Sequence, residues 1–136
     1  MNVTVGEQMK YYTSKTVDFT YDQAIEKVTG LLKEEGFGVL TEIDVKNTLK
    51  EKLDVDFKKY KILGACNPNF AHKALQAEDK IGVMLPCNVI VEEHEDGTVE
   101  VSAVNPVASM QAVTNDELHP IAGQVRDKLD KVIDNL

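Results

Sequence analysis

Tryptophan is absent, only two cysteines and four prolines occur, and 15 Lys and Arg stand against 23 Asp and Glu, a net charge of −8. Two cysteines with no C-x-x-C and no H-x-x-x-H pattern exclude a disulfide scaffold and argue against a closed structural zinc site within the chain. The acidic balance repels phosphate backbones, and no basic stripe interleaved with aromatics offsets it, so no nucleic acid partner is expected. No apolar window approaches the roughly 20 residues of a membrane-spanning helix, so no membrane partner is expected either. The G-x-S-x-G, G-x-x-x-x-G-K-[ST] and G-x-G-x-x-G patterns are all missing, which leaves the hydrolase elbow and the nucleotide-binding loops without footing. The opening MNVTVGEQMK has neither a basic start nor an apolar core, and a cytoplasmic protein with reduced thiols is the expectation.

What is present fits one folded unit. With 136 residues, 43% apolar and 28% charged, the chain suits one core and is too short for two ordinary domains. Residues 1–10 read as a lead-in and residues 11–136 as a single α+β domain.

From Met9 to Val17 the stretch YYTSKTV alternates weakly as a strand. Thr20 and Gln23 make a capping box, with Phe19 placed to staple onto Ala24, and Ala24, Ile25, Val28, Leu31 and Leu32 share one helical face. Gly36 closes that helix. Phe37 to Val45 alternates with period two and predicts a half-buried strand. Asn47 offers a cap for a short helix over TLKEKL laid on the sheet, its lysines and Glu51 solvated. Tyr60 to Cys66 is an apolar run that predicts an interior strand, and Asn67-Pro68 then predicts a helix of about three turns, with Asn67 as cap and proline at the first helical position.

Ile81 to Glu92 reads as the longest strand, interrupted at Pro86. Asp96-Gly97 signals a hairpin, and a two-residue loop there pairs Glu93 with Glu100 and Val91 with Ser102. Asn105 to Asp116 reads as irregular. The last helix starts near His119 and buries Ile121, Ala122, Val125, Leu129, Val132 and Ile133.

The stretch from Lys61 to Glu92 carries the chemistry worth weighing. Cys66-Asn67 and Cys87-Asn88 form the one doubled local pattern, each pair following an apolar run. A cysteine just outside a capped helix start has its thiolate stabilised by the helix dipole. A cysteine ending a buried strand, however, is more often simply a small hydrophobe. Whether the two sulfurs meet depends on topology: parallel strands would bring them to one sheet edge, whereas antiparallel strands joined by a helical loop would hold them far apart. His72, His94 and His119 read as surface or capping residues, and no metal site is assigned. No acidic residue stands in an apolar run that would raise its pKa for general acid-base work.

With GFGVLTEIDVKNTLKEKL, ILGACNP, LPCNV and the closing helix in view, the chain resembles the family known as domain of unknown function 302 over Tyr11 to Leu136. The resemblance implies a single curved, mostly antiparallel sheet packed by two long helices, in the order β-α-β4-α, like the TATA-box-binding protein, with short inserted helices. It also implies a homodimer, and it supplies no catalytic residue. DNA binding does not follow, since fold alone does not carry function.

Three classes of function remain at this level. The first is a ligand-binding or thiol-handling domain centred on Cys66, Asn67, Pro86, Cys87 and Asn88, with a small molecule or a soft metal as partner. The second is a non-catalytic homodimeric scaffold, and the third an enzyme acting on a small organic substrate. No cofactor is assigned.

Overall fold

The computed structural model describes residues 10–136, so most of the lead-in of residues 1–10 lies outside the described residues. Among the described residues, five strands form one sheet: β1 (Tyr12–Val17), β2 (Gly38–Asp44), β3 (Tyr60–Cys66), β4 (Cys87–Glu93) and β5 (Val99–Val104). Their spatial order is β1-β5-β4-β3-β2, and every neighbouring pair is antiparallel. The architecture is therefore α+β with the expected β-α-β4-α order of strands and long helices.

The long helices are α1 (Tyr21–Glu34) and α5 (Leu118–Asp134), and three short ones, α2 (Val45–Leu53), α3 (Pro68–Ala77) and α4 (Pro106–Ser109), are inserted between. Helix α1 starts as its sequence predicts. Thr20 accepts from the Gln23 amide at 3.2 Å, and the Gln23 side chain accepts from the Thr20 amide at 3.0 Å. Gly36 follows the helix end at φ +87°, a conformation that costs a Cβ-bearing residue. Tyr21, Ala24, Val28 and Leu32 of α1 and Val125, Leu129, Val132 and Ile133 of α5 bury against Val89, Val91, Val99 and Val101 of the sheet. A smaller apolar cluster of Ala74, Ile81, Met110, Leu118 and Ala122 joins α3, α4 and α5.

Four expectations are corrected. Ile81 to Pro86 is not strand: Asp79–Met84 forms a 3-10 turn that buries Ile81 in the small cluster, and the ladder begins only at Cys87. The hairpin loop holds three residues, Glu95 to Gly97, because Gly97 donates to the His94 carbonyl at 2.9 Å and His94 to that of Thr98 at 2.8 Å. Register moves by one residue, so Glu92 faces Glu100 and Val91 faces Val101, and the valines, not Ser102, point into the core. The cap of α2 is Asp44, which accepts from the Asn47 amide at 3.0 Å, and α2 buries no side chain. Strand β2 is an edge strand, largely exposed, and shifts register between Val39 and Thr41. Its period-two pattern marks a strand correctly but overstates its burial.

The segment after Asn105 is also more ordered than its composition suggests. Asn105 caps α4 by accepting from the Val107 amide at 3.1 Å, with Pro106 next, the same Asn-Pro device that starts α3.

Candidate functional site

Strand β3 ends at Cys66 and β4 begins at Cys87, with Ala65 directly opposite Cys87 in the ladder. The strands are antiparallel and the two cysteines are nonetheless neighbours. The expectation that an antiparallel pair separates them fails because it started the second strand at Ile81; once the 3-10 turn takes those residues, both cysteines fall at the same end of the sheet.

Above that end lies a cavity of about 340 Å³. The sheet contributes Ala65, Cys66 and Cys87, α3 contributes Phe70, Ala71, Ala74 and Leu75, and α5 contributes Ile121, Ala122 and Val125. Leu85, Pro86, Pro106 and Met110 close other sides. Alanine stands where three packed surfaces meet, at positions 65, 74 and 122, and larger side chains there would fill the space. The cavity separates the main core from the smaller cluster.

Its walls are almost wholly hydrocarbon. Among the described residues the polar exceptions are Thr41, Asn67 and the two thiols, and apart from those thiols no ionisable side chain lines it. Cys87 is buried, and that burial pushes its thiol up from 9.0 to about 11, with the nearby Cys66 sulfur adding to the shift. At neutral pH Cys87 is a protonated, weak nucleophile. Cys66 is half-buried and directly precedes the Asn67 cap, where the sequence places it.

Asn67 is 8% exposed, and both ends of its side-chain amide are hydrogen-bonded. Its Oδ1 accepts from the Phe70 amide at 3.5 Å, and its Nδ2 donates to the Glu35 carbonyl at 3.3 Å, tying the end of α1 to the start of α3. Pro86 packs near Gly64, where an added Cβ would stand 2.9 Å from the proline Cγ and closer still to Thr41 Oγ1. Glycine at position 64 thus lets the edge strand and Pro86 close over β3.

Asn88 is not part of this group. Alternation along β4 puts it on the opposite sheet face with Ile90 and Glu92, where it lines a second cavity of about 430 Å³ beside Tyr11, Tyr12, Tyr60, Glu100 and Ser102. Of the five candidates, Cys66, Asn67, Pro86 and Cys87 converge and Asn88 does not. His72 and His119 stand apart from the cavity, but His94 joins Glu92 and Glu100 in a cluster the sequence does not reveal, because it depends on the one-residue register.

Residues 13–136 match the model of the family described as Domain of unknown function DUF302. The chain belongs to the DUF302 family. Its fold is also similar to the crystal structure of an uncharacterized conserved DUF302 protein from Bacillus stearothermophilus, with a TM-score of 0.86 and 29% identity over 92% of this chain and 97% of that one. No curated protein matches this DUF302 chain. Among its described residues, no helix is long and apolar enough to cross a membrane.

Proposed function

We propose that this DUF302 protein binds a small, uncharged, apolar molecule in the cavity over Cys66 and Cys87. The observation that carries this reading is the wall chemistry: a space of about 340 Å³ lined by hydrocarbon, with two thiols, Thr41 and Asn67 as its few polar contacts. That volume falls in the lower part of the range of small-molecule sites, which are mostly apolar with few polar groups. Asn67 supports the site by holding α3 in place. Thiol chemistry is the weaker part of the reading, since the Cys87 thiol stays protonated.

Titration calorimetry with indole, p-xylene and octanol tests it. Saturable binding at one site per chain is expected, with Ala122→Leu and the half-buried Ala71→Leu each abolishing it while the protein stays folded. Binding that survives both cavity-filling substitutions would overturn the reading.

A second reading, a homodimer, draws on apolar side chains left in solvent. Leu40 and Leu75 on the cavity lining are 68% and 42% exposed, and Val83 in the 3-10 turn is 84% exposed. Apolar groups left in solvent suit a contact with a second copy. Sedimentation equilibrium of Leu40→Ser and Val83→Ser variants tests it: a wild-type dimer converted to monomer supports it, and a monomeric wild type removes it.

A further inference from the structure

The opposite face of the sheet carries a separate set of groups. Glu92 and Glu100 face each other across the β4–β5 ladder, an arrangement in which like charges repel unless something lies between them. His94 turns back over the pair, its Nε2 2.8 Å from Glu100 Oε1. One donor atom from each of Glu92, His94 and Glu100 lies within 4.8 Å of the other two, and all three residues are half-buried.

The surroundings orient these donors. Ser14 Oγ donates to Glu100 Oε2 and stands 2.9 Å from Ser102 Oγ, so one carboxylate oxygen is fixed by the neighbouring strand and the other is turned toward His94. That is the outer support metal-binding carboxylates commonly have. A cation already occupies part of the place: Lys58 Nζ lies 2.7 Å from Glu92 Oε1, on a side chain one-third exposed. Glu92 and Glu100 also line the 430 Å³ cavity, so an ion between them has open space beside it.

We propose that Glu92, His94 and Glu100 form a divalent metal site, of zinc or manganese class, in which the ion displaces the Lys58 ammonium. Two carboxylate oxygens and one imidazole nitrogen suit borderline and hard divalent ions. Coordination takes the lone pair of Nε2, so the ring carries its proton on Nδ1 when the ion is bound. Lys58 then acts as a built-in competitor for the Glu92 carboxylate.

The test is calorimetric titration of the full chain with zinc chloride, and separately with manganese chloride. One ion per chain is expected, with Glu100→Gln and His94→Gln each weakening binding by about tenfold or more. Lys58→Met should tighten it, while Cys66→Ala/Cys87→Ala and His72→Gln/His119→Gln should leave it unchanged. Circular dichroism confirms that each variant is folded. The proposal is overturned by absence of binding, by binding that survives His94→Gln, by binding lost with the cysteines or the other histidines, or by a Lys58→Met variant no tighter than wild type. Because the site and the apolar cavity lie on opposite faces, either result leaves the reading of that cavity standing.

Discussion

Ala65 and Cys87 face one another across the β3–β4 ladder, two small side chains forming the floor of the apolar cavity. Their pairing brings the end of one strand to the start of the next, and with them Cys66 and Pro86. It also seals the Cys87 sulfur from water, which sets its chemistry.

Cys87 should react slowly. With its thiol pushed up to about 11, an aromatic disulfide reagent at pH 8 should modify Cys87 only after denaturation, while Cys66 reacts in the native state. The same shift links to stability. A thiol whose folded value lies above its unfolded 9.0 contributes stability that is fully present below pH 9 and is lost as pH rises toward about 11. Two units correspond to about 2.7 kcal/mol. Urea midpoints across this window should fall in the wild type, and the fall should be shallower in Cys87→Ala. Equal slopes would show that the sulfur is not sealed.

Asn67→Ala should cost about 1–2 kcal/mol in urea unfolding, through loss of the α3 cap and of the bond to the Glu35 carbonyl. Asn67→Asp keeps an acceptor for the cap and loses the donor, so its cost should be smaller. Equal costs would show that the tie to α1 is the stronger contribution.

Gly64→Ala should destabilise by about 1–3 kcal/mol, since its methyl meets Thr41 Oγ1 and the Pro86 ring. In a Thr41→Ala background the same change should cost less, because the nearest atom is gone. A double-mutant cycle with no coupling would argue that the strands separate freely there.

Leu53→Ala in α2 should change stability by no more than about 0.5 kcal/mol, because the side chain is exposed and its helix buries nothing. Leu129→Ala in α5, fully buried, should cost about 2–5 kcal/mol. Thermal unfolding of the two variants distinguishes a helix that only decorates the edge from one that makes the core.

Local signals are legible where local physics governs. The Thr20–Gln23 box, the Asn67-Pro68 start and the stripe on α5 each involve neighbours a few residues apart, so their spacing is enough. Ile81 is not legible in this way, because most of its buried neighbours, Met110, Leu118 and Ala122, lie far along the chain, and an apolar residue in a 3-10 turn looks the same in sequence as one in a strand. The hairpin differs from its sequence pattern by a single residue. Asp-Gly fits both a two-residue loop and a three-residue loop ending in glycine at φ +88°, and only the pairing of β4 with β5 selects between them.

By itself the amino-acid order settled the class of fold, the two long helices and the capping box that starts the first of them, and four of the five strand positions closely, because hydrophobic period and capping chemistry act over a few residues. Which residues share a space was decided only in three dimensions. The meeting of Cys66 with Cys87, the parting of Asn88 from them, and the gathering of Glu92, His94 and Glu100 all follow from strand register, and register is fixed by which side chains the whole sheet can bury at once.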